Sequence, residues 1–215
     1  MEVFRLDLEL VKNRPDLLST YESWLSPAER ERFLQIRDEK RKLEFLGGHA
    51  LLHDVVGMMK NCPPQEVKVD LRDGVPFLDA IPLFVSLSHS GGLVAVTADE
   101  QPVGLDIERS SARRNLSAIV EKCFGPETAR TYSLLKETER RPFFFRAWTM
   151  REAAYKWHTF FAGKADKPVH FHSGIVDDMY FTVASANPLV SVTMIAKVPG
   201  EAKEMLLSPK ELFLV

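Results

Sequence analysis

The chain has 215 residues, with 28 Lys and Arg against 30 Asp and Glu, a formal net charge of −2. With 45% hydrophobic and 27% charged residues, enough apolar side chain is present to offset the entropy of ordering, which excludes a chiefly disordered chain. The missing basic excess argues against a general nucleic-acid binder, and no apolar run approaches the roughly 20 residues that cross a bilayer.

Met1–Leu10 alternates apolar and charged residues, which predicts a strand and not a leader segment. Ser26-Pro27-Ala28-Glu29 has the form of a helix start, with serine as cap, proline at the first helical position and glutamate closing a capping box. Helical periodicity continues to about Val56 with a weak point at Gly47-Gly48, predicting two helices or one kinked there. Pro63-Pro64 ends the block. Val67–Leu71 and Pro76–Leu78 then read as short partner strands around an Asp73-Gly74 turn. Leu83–Leu87 is an apolar strand leading into Ser88-His89-Ser90-Gly91-Gly92, expected to be a loop, and Leu93–Ala98 and Pro102–Ile107 are two further strands. Leu116–Cys123, Pro126–Leu135 and Glu139–Phe160 carry helical patterns, followed by strands around Gly174–Ala184, Val190–Lys197 and Leu212–Val215.

Helices mixed with a few antiparallel strands in each half predict an α+β fold. A division near residue 101 gives subdomains 1–101 and 102–215. The two cysteines, Cys62 and Cys123, are too few for a disulfide framework and lack metal-ligand spacing. They are expected to be free thiols in a cytoplasmic protein.

Two segments stand out chemically. In Gly104-Leu105-Asp106-Ile107-Glu108, strand alternation sends both carboxylates to one face and the apolar residues to the other. Paired carboxylates repel unless they share a cation, so a hard divalent metal is the natural guest. A lone D-x-E is nevertheless common by chance and usually marks the polar side of a strand. In Trp148-Thr149-Met150-Arg151-Glu152-Ala153-Ala154-Tyr155-Lys156, helical spacing puts Trp148, Glu152 and Lys156 on one stripe, with Arg151 and Tyr155 beside it. Taken alone, Glu152 and Lys156 make an ordinary surface ion pair; Trp148 indicates that the stripe is partly covered. Ser88-His89-Ser90 has no adjacent acid and does not make a hydrolase triad. His170-x-His172 has strand spacing for a metal pair but no third ligand near it.

The order of these segments resembles the surfactin-synthetase-activating type of 4′-phosphopantetheinyl transferase. That family carries, in sequence, G-K-P, an S-H-S segment, G-[IV]-D-[IV]-E and W-x-x-K-E-A-x-x-K; the match here runs from about Leu25 to Lys156. The resemblance implies two similar α+β subdomains in pseudo-twofold arrangement with the site in the cleft between them. It implies magnesium-dependent transfer of the phosphopantetheine arm of coenzyme A to a serine of an acyl or peptidyl carrier protein, releasing adenosine 3′,5′-bisphosphate. By position, Asp106, Glu108 and Glu152 would hold the metal, and Glu152 would also act as general base. Lys156 would support the leaving phosphate, and Ser88, His89, Arg151, His53 and Arg41 would contact coenzyme A. The resemblance also favours a monomer that binds neither nucleic acid nor membrane.

Several positions depart from the family pattern. The lysine of G-K-P is Val75, and the lysine before Glu152 is Arg151, which keeps charge but changes geometry. His49 and His53 stand where arginines usually grip phosphates, and imidazole is a weaker, pH-dependent cation. The glycine-rich stretch after the long helix is reduced to Gly163-Lys164-Ala165-Asp166-Lys167. These losses leave room for an alternative, a non-catalytic relative that binds coenzyme A or a carrier. Retention of Asp106, Glu108, Glu152 and Lys156 together argues for the enzyme.

Overall fold

The computed structural model describes residues 1–79, 81–110, 115–160, 169–189, 191–201, 204–207 and 211–214. The Gly163–Lys167 stretch lies outside them. The fold is α+β. The strands are β1 (Glu2–Asp7), β2 (Asp70–Arg72), β3 (Val75–Phe77), β4 (Phe84–Ser90), β5 (Leu93–Asp99), β6 (Val103–Arg109), β7 (His170–Val176), β8 (Met179–Ser185), β9 (Thr193–Lys197), β10 (Glu204–Leu207) and β11 (Glu211–Leu214). The α-helices are α1 (Pro15–Trp24), α2 (Pro27–Gln35), α3 (Glu39–Lys60), α4 (Leu116–Cys123), α5 (Pro126–Leu134) and α6 (Glu137–Thr159).

A five-stranded sheet runs in the order β10-β9-β1-β5-β4 and a four-stranded sheet in the order β11-β7-β8-β6; β2 and β3 form a separate ribbon. Pairing is antiparallel except where β9 lies parallel to β1. Strands β9 and β10 thus return to the first sheet, while β11 joins the second beside β7.

Side-chain alternation sorts the core into layers. Phe4, Leu6, Val94, Val96 and Ala98 of the first sheet pack with Leu51, Leu52 and Val55 of α3. On its other face, Val3, Leu93, Ala95 and Met194 meet Leu105, Ile107, Phe181 and Val183 of the second sheet. Beyond that sheet, Ala184 packs with Ala153 and Trp157 of α6. The layer order is helix, sheet, sheet, helix. Each large side chain buried this way contributes about 1.5–3 kcal/mol.

The Ser26 cap forms as its sequence predicts, with a complete capping box closed by Glu29 and Pro27 in the first turn. The helical break does not fall at Gly47-Gly48. It falls at residues 36–38, where Ile36 is extended and Asp38 accepts from the Arg41 N–H to cap α3. The paired glycines lie inside α3 because the helix touches the sheet there: a Cβ on Gly47 would sit 2.5 Å from Leu8 Cδ2, and one on Gly48 3.0 Å from Leu87 Cδ1. Helix α1, with Pro15 in its first turn, is an element that periodicity did not reveal. The expected strand around residues 174–184 is a hairpin of β7 and β8.

Ser88-His89-Ser90 is strand, not loop. The turn comes one step later, at Gly91 and Gly92, both with positive φ (58° and 85°), as a two-residue hairpin requires. The backbone of Ser88–Ser90 pairs with Leu93–Ala95 of β5, which leaves the serine hydroxyls free for a second contact across the chain. Strands β4 and β6 are edges of different sheets, and the serine hydroxyls of β4 take the place of a backbone ladder between them. Ser86 Oγ accepts the Leu105 N–H at 2.8 Å, Ser88 Oγ that of Ile107 at 3.2 Å, and Ser90 Oγ that of Arg109 at 3.1 Å.

Two buried histidine environments bear on stability. Glu29 is fully buried and accepts from Ser26 N–H at 2.8 Å while its oxygens meet His49 Nδ1 at 2.6 Å and His53 Nε2 at 2.9 Å. Burial pushes this carboxyl up, but the hydrogen bonds and charges of His49 and His53 outweigh burial and hold it at about 2. The stability this contributes is present above the carboxyl's ordinary 4.5 and is lost as pH falls towards about 2. His172, on the inter-sheet face of β7, is 3% exposed, and neither ring nitrogen has a hydrogen-bond partner. Burial, with the Met1 ammonium adding to it, lowers its pKa from 6.5.

Removing the acceptor with Ser86→Ala strands a buried N–H and should cost about 1–3 kcal/mol in denaturant unfolding; a loss below about 0.5 kcal/mol would contradict the seam. Folded His172 resists the proton that the unfolded chain accepts, so stability should decline as pH falls below about 6.5. His172→Leu should shrink the drop in denaturant midpoint between about pH 7.5 and 5.5; an unchanged drop would show that another group causes it.

Candidate active site

Strand β6 carries the two carboxylates of the site. Its odd residues Leu105 and Ile107 enter the inter-sheet core, so Gly104, Asp106 and Glu108 face the other way, towards α6. Gly104 sets how close the helix can come: a Cβ there would lie 2.0 Å from the Ala153 carbonyl oxygen. This close approach brings Glu152 and Lys156, one and three residues from Ala153, alongside Asp106 and Glu108.

The carboxylates are fixed by the same serines that join the strands. Ser88 Oγ donates to Asp106 Oδ1 at 2.8 Å, and Ser90 Oγ donates to Glu108 Oε2 at 2.7 Å. Each hydroxyl is thereby used twice, accepting from β6 backbone and donating to a β6 side chain. Lys156 Nζ donates to Asp106 Oδ1 at 2.9 Å and to the Leu105 carbonyl at 2.8 Å. Asp106 and Glu108 are only 6% and 8% exposed. Asp106 Oδ2 is buried without a hydrogen-bond partner. Such an atom needs a donor or a cation.

These groups open on a cleft of about 650 Å³. Ser88, His89, Asp106, Glu108, Trp148, Glu152 and Lys156 line it together with Arg41, His49 and the Gly74–Pro76 turn. Glu152 is held at its edge by an ion pair with Arg151 at 3.0 Å, and the Arg151 guanidinium lies over Trp148 at 5.5 Å. His89 faces the α3 wall, its Nδ1 3.4 Å from Glu44 Oε2. Burial lowers its pKa; Lys156 and Arg41 add to that effect, while Glu44 and Asp106 oppose it.

Of the residues singled out from sequence, Ser88, His89, Arg41, Asp106, Glu108, Glu152 and Lys156 therefore share one cleft. His53 does not. It is fully buried, with Nε2 on Glu29 and Nδ1 on the Pro64 carbonyl at 2.8 Å, so it is spent on internal packing and cannot reach a ligand. Neighbouring His49 borders the cleft but also turns Nδ1 inward to Glu29. Arg151 lies beyond the cleft lining and reaches the site only through Glu152. Sequence reasoning gave no role to Ser86, Ser90 or Glu44. The period-two serines at 86, 88 and 90 were the available signal for the first two.

A divalent cation would find Asp106 and Glu108 on one strand face and Glu152 across the cleft. Among the described residues, no three acidic, histidine or cysteine side chains converge closely enough to form a closed metal cage. The partnerless Asp106 oxygen fits a cation; Glu152, engaged with Arg151, must turn to join it.

Residues 102–179 match the family model of the 4′-phosphopantetheinyl transferase superfamily. The chain is 28% identical over 163 residues to the 4′-phosphopantetheinyl transferase psf-1 of Bacillus pumilus, a stretch covering 73% of this chain and 68% of that protein. It is 26% identical over 137 residues to the 4′-phosphopantetheinyl transferase Sfp of Bacillus subtilis (strain 168), covering 62% of this chain and 60% of Sfp. A third relative, the 4′-phosphopantetheinyl transferase HetI of Nostoc, is 26% identical over 123 residues, or 54% of this chain and 52% of HetI. The matched segment contains Asp106, Glu108, Glu152 and Lys156, so the carboxylates and the lysine of the cleft lie within the stretch that is similar to the 4′-phosphopantetheinyl transferase superfamily.

Proposed function

We propose that this chain transfers the 4′-phosphopantetheine arm of coenzyme A to the serine hydroxyl of an apo acyl or peptidyl carrier protein. The observation that carries this reading is the meeting of β4, β6 and α6 in one cleft, with Asp106, Glu108, Glu152 and Lys156 all on its lining. The transfer breaks the bond between the phosphorus bearing the arm and the bridging oxygen. The carrier serine oxygen forms the new bond, and adenosine 3′,5′-bisphosphate leaves.

Glu152, at the cleft edge, is suited to accept the serine proton, and its partner Arg151 holds it there until the substrate enters. Lys156, half-buried beside Asp106, places a positive charge where the departing phosphate develops negative charge. Asp106 and Glu108 would hold a magnesium ion, which supplies charge neutralisation for the diphosphate. Their hydroxyl donors, Ser88 and Ser90, keep both carboxylates aimed into the cleft and so reduce the reorganisation needed for binding.

The paired architecture, in which each sheet carries one long helix (α3 or α6), supports a pseudo-twofold relation between subdomains 1–101 and 102–215. We further read the protein as a cytoplasmic monomer. Among the described residues no helix is long and apolar enough to cross a membrane, and Cys62 and Cys123 are unpaired.

Glu152→Gln should keep the fold and lower carrier loading by about 10²-fold or more, the usual scale for a general base. Mass spectrometry of an apo carrier incubated with coenzyme A and magnesium reads this directly, and undiminished loading would remove Glu152 from the reaction. Asp106→Asn should weaken the magnesium dependence, shifting the half-saturating metal concentration upward. A variant with the wild-type metal profile would count against Asp106 as a ligand.

A further inference from the structure

Glu44 is the unexpected group beside the cleft. It lies on the cleft-facing side of α3 with its side chain 8% exposed, Oε2 3.4 Å from His89 Nδ1 and Oε1 3.9 Å from Lys40 Nζ. Around it is a cavity of about 240 Å³, bordered by Arg32, Arg41, His49 and His89. Arg41, His49 and His89 also border the main cleft, so the two spaces are neighbours that share a wall.

The chemistry of transfer says what must enter this side pocket. In an in-line displacement the attacking and leaving oxygens lie on opposite sides of phosphorus. With the carrier serine on the Glu152 side, the leaving nucleotide extends away from α6, past His89, towards the α3 wall. The ribose then meets Glu44. A buried carboxylate accepts hydrogen bonds from ribose hydroxyls and repels a phosphate in the same place, the discrimination by which an acidic residue distinguishes the two nicotinamide dinucleotides. The neighbouring cations do not cancel it. Lys40, Arg32 and Arg41 are exposed and so screened by salt, and burial favours the neutral ring of His89. Val75 also stands on this cleft where a lysine would have added positive charge.

We propose that Glu44 sets donor specificity, so that a donor with a free ribose 3′-hydroxyl, 3′-dephospho-coenzyme A, is used at least as well as coenzyme A. This rests on the proposed transferase function. The test compares kcat/KM for the two donors with one apo carrier and magnesium, using wild type and Glu44→Gln, each checked for fold by circular dichroism. The expected wild-type ratio, coenzyme A over the dephospho form, is one or less. Glu44→Gln should raise that ratio about fivefold or more, chiefly through a lower KM for coenzyme A.

Any wild-type preference for coenzyme A, a ratio above one, overturns the proposal, as does a ratio that Glu44→Gln leaves unchanged. Should Glu44→Gln not fold, the wild-type ratio decides alone. Absence of loading from either donor removes the transferase reading, and calorimetric titration of the two donors onto wild type then decides the role of Glu44. Tighter or equal binding of the dephospho form sustains it. Tighter binding of coenzyme A, or no binding of either, removes it.

Discussion

Strands β4 and β6 belong to different sheets, and the hydroxyls of Ser86, Ser88 and Ser90 hold them together. A backbone ladder between the two edges would satisfy the β6 amides but leave nothing for its carboxylates. A hydroxyl both accepts and donates, so one residue type closes the seam and, at Ser88 and Ser90, aims Asp106 and Glu108 into the cleft. Fold and site therefore share their polar contacts. A buried amide left unpaired in this seam carries a full desolvation penalty, so the arrangement of the site is fixed by the stability of the fold.

The other constraint is steric. Gly104 lets α6 press against β6 at Ala153, and Lys156 then reaches both Asp106 and the Leu105 carbonyl. On the opposite flank, Gly47 and Gly48 let α3 close on Leu8 and Leu87. The cleft is thus bounded by two helices seated unusually near their strands. Its polarity is uneven: the α6 side sets Lys156 beside three carboxylates, while the α3 side sets Arg41 near a buried Glu44.

Much of this was legible in the sequence. The Ser26–Glu29 capping box, the face shared by Asp106 and Glu108, and the stripe of Trp148, Glu152 and Lys156 depend on local periodicity, which strand and helix geometry fix within a few residues. What failed depends on distant partners. His49 and His53 share a helix face, but periodicity does not tell an inward face from an outward one, and their partner Glu29 lies 20 and 24 positions away. Ser88-His89-Ser90 looks like a loop because its residues are small and polar. It is strand because it pairs with Leu93–Ala95 of β5 across the Gly91-Gly92 turn, and its serine hydroxyls find their partners 18 and 19 positions later. Glu44 sits in a charged helix segment, where only the packing of β4 shows it to be buried.

Residue-resolved hydrogen exchange of the Leu105, Ile107 and Arg109 amides, in wild type and in Ser88→Ala, addresses the seam most directly. All three should exchange slowly in wild type, as paired sheet amides do, and the variant should release Ile107 ahead of the other two. Rapid exchange of all three in the wild-type protein would mean that the serine hydroxyls do not hold β4 to β6, and that the carboxylates of the cleft are positioned by something else.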